Sequence, residues 1–279
     1  SQVVDVTRLK HKNAITPYDG ASLTGVVRRT FLASRPRGAE NKAIAEVIER
    51  ARWTGARAHI LHLSSAEALP LIAAAKAEGI RITVETCPHY LTLQAEDVPD
   101  GATAYKCCPP IREAGNREQL WQGLIDGTID CIVSDHSPST LDLKDLENGD
   151  FAVAWGGVSS LQLGLPLIWT EARKRGIALD TVVGWMSAAP AKLVGLASKG
   201  RLAVGADADF SIFAADESQV VDVTRLKHKN AITPYDGAPL TGVVRRTFLA
   251  GAEIDGITPT GKLLRNPAVS GHTGAAYRA

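Results

Sequence analysis

The chain has 279 residues, 45% of them apolar, enough to bury one large core or a core with a smaller satellite domain. Its 31 lysines and arginines nearly balance 30 aspartates and glutamates, so no long-range field would hold a nucleic acid or a membrane surface, and a small neutral substrate fits better. No apolar run approaches the roughly 20 residues needed to cross a bilayer. Nothing at the N-terminus resembles a signal peptide, and Cys87, Cys107, Cys108 and Cys131 form no CxxC pair, so the expectation is a cytoplasmic protein with reduced thiols.

The first segment is a repeat. Ser1 to Ala33 recur at Ser218 to Ala250 with one difference, Ser22 against Pro239. Solenoid repeats diverge and stack in threes or more, whereas two near-identical copies far apart indicate a duplicated coding segment. Both copies cannot fill one structural slot, and the first is expected to be the displaced one. Within each copy LTGVVRRTFLA alternates in its first half, and in the second copy it follows the turn residues Pro234, Asp236 and Gly237. That pattern predicts a β-strand.

From Asn41, NKAIAEVIERARWTG sets Ile44, Val47, Ile48 and Ala51 on one helical face and ends at Gly55, a natural C-cap. ARAHILHLSSAEALPLIAAAKAEG then reads as a short strand, a capping box between Ser64 and Glu67, and an Ala-rich helix stopping at Gly79. IRITVETCPHY is a second strand, REQLWQGLIDG a helix and IDCIVSDHSP a third strand. Strands alternating with helices imply a parallel sheet, and in (β/α)₈ barrels reactive groups sit at the C-terminal strand ends. Those ends offer His62, His89 and Asp135. His59 and His62 are three apart on a strand and face opposite ways, so they do not share one metal. On residue type alone His62 is either a ligand or a satisfied structural histidine, and Asp135 either a functional carboxylate or the cap of a turn. Farther on, GRLAVGADADFSIFAAD is punctuated by Gly200, Gly205, Asp207 and Asp209 into two short β segments, and the tail from Ile257 has no periodicity. The organisation expected is a duplicated segment at 1–33, an α/β unit at 34–197, and a β-rich small domain with its tail at 198–279.

The stretches SRPRGAE, HILHLSS, ETCPHYLTL, KCCPPIR, NREQLWQGLIDGTIDCIVSDHSPST, GDFAVAWGGVSSLQLGLP and GRLAVGADADF together resemble the allantoinase family of metal-dependent cyclic amidohydrolases. The resemblance covers Ser34 to Asp209 strongly. It implies an α/β fold, a partial (β/α)₈ TIM-type barrel made of the C-terminal strands, with a small β-sandwich domain. It also implies a hydrolase that opens the cyclic amide of allantoin to allantoate at a centre of two divalent metal ions, zinc foremost, in a homo-oligomer acting on a small-molecule substrate. By motif, His62 matches the metal-binding histidine of the sixth barrel strand, and Asp135 the metal-bound aspartate of the eighth, which also serves as the catalytic base and acid. Cys108 and Pro109, with Trp155 and Gly156, match loops lining the substrate pocket. His89 carries over no ligand role and is a pocket or structural residue.

The family pattern further includes a His-x-His pair, a carboxylated lysine and another histidine, all upstream of Ser34. No His-x-His occurs among the chain's seven histidines, and His11 belongs to the repeat. Two ligands do not hold a binuclear centre. The expectation is therefore impaired catalysis by the isolated chain. The alternatives are a non-catalytic partner of an intact subunit, or a hydantoinase-like or dihydropyrimidinase-like activity.

Overall fold

The computed structural model describes residues 28–264, so the first repeat copy before Arg28, with His11, and the tail after residue 264 lie outside the described residues. The description opens with helix α1 (Arg28–Ala33) and helix α2 (Arg37–Thr54). Helix α2 buries Ile44, Ile48 and Ala51 and stops at Gly55, whose φ of 66° lets its N–H return to the Ala51 carbonyl. A left-handed residue at that position ends a helix without strain only if it lacks a Cβ.

Three strands follow in the predicted order: β1 (Ala58–Ile60), β2 (Ile82–Thr86) and β3 (Cys131–Ile132). They form a parallel sheet, with Ala58 opposite Ile82 and Glu85 opposite Cys131. Helix α3 (Leu69–Ala77) crosses over from β1 to β2, and helix α5 (Ala114–Ile125) leads into β3; between them lies the short helix α4 (Pro88–Thr92). The parallel β-α-β connection needs such crossovers. The sheet's interior packs Ile60, Leu63, Ile72, Val84, Leu120, Trp121, Leu124 and Ile132 into one core.

The capping-box expectation is wrong. Ser65 precedes a 3₁₀ turn without a side-chain cap, and Ser64 instead donates its N–H and hydroxyl to Glu40 of α2. Glu67, the supposed reciprocal partner, accepts from Arg37 and Asn41. A carboxylate arriving from a neighbouring helix outcompeted the local partner three residues away.

After helix α6 (Leu141–Lys144) and helix α7 (Gly164–Lys174), a helical run spans 179–193. The small domain is one antiparallel sheet among the described residues: β4 (Phe210–Val220), β5 (Pro239–Leu249) and β6 (Ala252–Glu253). The two short segments expected near residues 200–216 are instead turns followed by one long strand, broken by bulges at Ile212/Phe213 and Ala214/Ser218. The bulges make the register irregular, which is why a strict alternation was not visible.

This sheet docks on α7 through paired contacts. Thr170 Oγ1 accepts from the Thr241 N–H at 2.9 Å, and Trp169 Nε1 donates to the Ala215 carbonyl at 2.8 Å. Gly242 sits in the middle with φ of 98°, and a Cβ there would come 2.8 Å from Trp169 Cδ1 and closer still to the Phe213 ring. Gly242→Ala is predicted to lose about 2–4 kcal/mol, from left-handed strain plus overpacking, read as a lower urea midpoint with an unchanged slope.

Candidate active site

Parallel pairing delivers the C-terminal ends of the three strands to one edge. The Leu63 N–H donates to the Glu85 carbonyl at 2.8 Å, Thr86 Oγ1 to the Leu63 carbonyl at 2.9 Å, and the Val133 N–H to the Thr86 carbonyl at 3.0 Å. His62, His89 and Asp135 follow directly on these bonds. His62 and Asp135 have φ of 37° and 42°, two of the four non-glycine residues in the left-handed region among those described. Each such residue costs on the order of 1–2 kcal/mol, and residues held so at strand ends cluster at functional sites.

His59 points away from this edge. Its Nε2 lies 2.9 Å from Glu85 and its Nδ1 2.8 Å from the Thr83 hydroxyl, so both ring nitrogens are partnered. His62 by contrast keeps a buried Nδ1 with no hydrogen bond, and His89 is fully buried with both ring nitrogens unpaired. His89 Nε2 lies 3.8 Å from Asp135 Oδ2. Burial drives the His89 imidazole down to about 3, so it is neutral, and the charge of His62 pushes the same way. Burial raises the Asp135 carboxyl above its ordinary range, against the opposing pull of His62.

The two loops singled out in the sequence meet beside this edge. Cys108 and Pro109 are joined by a cis peptide bond, and the Pro109 carbonyl accepts from the Tyr90 hydroxyl at 2.7 Å. Trp155 is 39% exposed and its N–H donates to Leu143; the Gly157 N–H donates to Lys106. Gly157 has φ of 124° and lies so close to the Ser137 carbonyl that a Cβ would sit 2.6 Å from it, while the Ser137 N–H donates to Val158. Hence Trp155 and Gly156 are tied to the loop that carries Asp135. His136 Nδ1 accepts from the Ser160 and Leu161 N–H groups, which places its proton on Nε2.

Two lysines that sequence reading passed over organise these loops. Lys106 and Lys144 are each 1% exposed. Lys144 Nζ donates to the carbonyls of Gly157 at 2.6 Å, Lys106 at 3.3 Å and Thr103 at 3.5 Å, and Lys106 donates to Ala154. No carboxylate partner appears within salt-bridge distance of either among the described residues. An ammonium satisfied by carbonyls alone leaves no sequence signal.

The model of the "Amidohydrolase family" matches residues 28–254. The chain belongs to the amidohydrolase family. The chain is 62% identical over 238 residues to a protein named allantoinase in Streptomyces avermitilis, covering 84% of this chain and 53% of that relative. It is 42% identical over 245 residues to the allantoinase of Saccharomyces cerevisiae, covering 84% of this chain and 52% of the relative. Among solved structures, the L-hydantoinase (dihydropyrimidinase) from Arthrobacter aurescens superposes with a TM-score of 0.79 at 31% identity, over 87% of this chain and 53% of that one. This amidohydrolase chain thus spans about half the length of the relatives it matches. Its partial-barrel architecture agrees with those relatives, and no described helix is long and apolar enough to cross a membrane. Divalent-metal dependence goes with the family, and the donors present fit an ion in part: His62 and His89 offer buried nitrogens without partners beside the Asp135 carboxylate.

Burial holds the Lys144 ammonium down to about 8 against 10.5 when unfolded. Folding therefore expels a proton between those values, and this group's contribution to stability rises with pH across that window. Urea titrations between about pH 8 and pH 10.5 are predicted to show the wild type gaining stability relative to Lys144→Met. A gap that stays constant with pH would rule out the depressed ammonium.

Proposed function

We propose that this chain carries the C-terminal half of an allantoin-hydrolysing active site, with His62 and Asp135 as metal ligands and Asp135 as the proton-transferring residue. The observation that carries the reading is the shared left-handed backbone of His62 and Asp135, both just past the ends of strands of one parallel sheet, in a chain 62% identical to a named allantoinase. Hydantoinase-like hydrolysis is the weaker reading, because the hydantoinase likeness stands at 31% identity.

A bound divalent cation, proposed to be zinc, supplies acidification of a water molecule and polarisation of the ring carbonyl. The chain's own residues do the rest. Asp135 takes the proton of the attacking water, and its carboxyl, raised by burial, then gives that proton to the departing ring nitrogen as the C–N bond breaks. Water contributes the new C–O bond and the ring is opened without any other co-reactant. Trp155 covers the approach, while backbone groups of Cys108, Pro109 and Gly156 orient the ureide; the Lys144 bonds keep those two loops in register.

The sequence has no His-x-His pair, so the binuclear set is completed by donors from outside these 279 residues. Among the described residues β1 and β3 each keep one edge unpaired, which is where further barrel strands would add. The domain division at 33/34 and 197/198, cytoplasmic residence and assembly into homo-oligomers complete the proposal.

The test is an allantoin hydrolysis assay on the purified chain with zinc, alone and mixed with the N-terminal half of the Streptomyces avermitilis allantoinase as a separate polypeptide. The expected result is no turnover alone and turnover in the mixture, falling about 10²–10⁴-fold with Asp135→Asn. Complemented turnover of hydantoin or dihydrouracil but not allantoin would overturn the substrate, and turnover untouched by Asp135→Asn would overturn the site.

A further inference from the structure

Cys87, His89 and Asp135 place one sulfur, one ring nitrogen and one carboxylate oxygen within 4.8 Å of one another. Cys87 and His89 have 0% exposure, while the Asp135 side chain is 37% exposed, so the group is buried on two sides and open to solvent on the third. His89 carries a second signal. Both its nitrogens are buried and have no hydrogen-bond partner, although an unsatisfied buried polar group costs about 1–3 kcal/mol. Among the described histidines His59 and His136 are each partnered, while His228, 5.8 Å from His136 between ring centroids, is the other with both ring nitrogens unpaired.

Donors around a tetrahedral zinc-class ion, bound at about 2.0–2.3 Å, stand roughly 3.3–3.7 Å apart. The present spacing, 3.8 Å between His89 Nε2 and Asp135 Oδ2 and at most 4.8 Å within the group, needs a contraction of about 1 Å or less. His62 lies outside this group and keeps a buried unpaired Nδ1 of its own.

We propose that Cys87, just after β2, and His89, on α4, join Asp135 in a mononuclear site for a zinc-class cation within this chain. The inference rests on the reading of Asp135 as a ligand and adds two donors beside it. Binding expels the Cys87 thiol proton to solvent, so the ligand is a thiolate and no other co-reactant is needed. A thiolate selects zinc or cobalt(II) and discriminates against magnesium and manganese, which prefer oxygen donors.

Cobalt(II) titration of the full-length chain, followed by absorption spectroscopy, decides it. The expected result is uptake of a single ion with an intense near-ultraviolet sulfur-to-cobalt charge-transfer band, bleached by zinc and unaffected by excess magnesium. Cys87→Ala should abolish the band, and His89→Gln should weaken cobalt binding roughly tenfold or more. Should Cys87→Ala fail to fold, Cys87→Ser, which keeps the side-chain shape and removes the soft donor, is expected to lose the band in its place, and a band that survives it would come from another thiol and overturn the inference. Cobalt bound without the sulfur band, and lost in His62→Ala and Asp135→Asn but not in Cys87→Ala, would overturn the added donors while leaving the proposed function standing. No cobalt uptake at all would also overturn the inference, and the complementation assay would then judge the hydrolytic reading separately.

Discussion

Parallel pairing of three strands is the constraint on which everything else here depends. Because β1, β2 and β3 run the same way in register, their C-terminal ends arrive together, and the residues just beyond them must share one edge. The Asp130 carboxylate reinforces that alignment by accepting from the Val84 N–H at 2.7 Å and from Lys76 at the same distance, so a side chain extends the ladder where β3 is too short to pair fully. The left-handed conformations of His62 and Asp135 are the cost of turning abruptly at this edge, and the surrounding core is what sustains them.

Polar groups in the interior are managed in two contrasting ways. Around the substrate loops the buried cations are met by oxygen acceptors: Lys144 donates to three carbonyls, Lys106 to the neighbouring loop, and Arg112 to the Arg35 carbonyl at 3.0 Å and Ser64 at 3.3 Å, while the hydroxyls of Thr103, Ser139, Ser159 and Ser160 have no partner among the described residues. At the strand edge the demand is left open on His89 and on one nitrogen of His62. Satisfied groups rigidify a scaffold, whereas buried groups kept unpaired are held ready for a ligand.

Much of the barrel portion was legible because its signals are local. The face of Ile44, Ile48 and Ala51, the stops at Gly55 and Gly79, and the apolar runs of β1 and β2 each depend on neighbours within a turn or two. Motif likeness then selected His62 and Asp135. What escaped was set by partners distant in sequence: Glu40 displacing Glu67 at Ser64, the carbonyl cages of Lys106 and Lys144, and the approach of Cys87 and His89 to Asp135 across some 46 residues of intervening chain. No spacing rule encodes those meetings, because each requires the sheet to be assembled first.

The repeat separates the two kinds of information most cleanly. The hexapeptide RRTFLA occurs at Arg28–Ala33 and again at 245–250, and the sequence alone assigns both copies to the same strand. The first copy is helix α1, with Phe31 buried against Val98 and Phe151; the second closes β5, with Phe248 stacked on Phe210 at 4.6 Å. What the sequence determined by itself was family, strand order and the residues at the strand ends, since these rest on local pattern and motif. Only tertiary structure decided whether the same six residues coil or extend, because intrinsic propensities differ by less than about 1 kcal/mol per residue and the packing partner outweighs them.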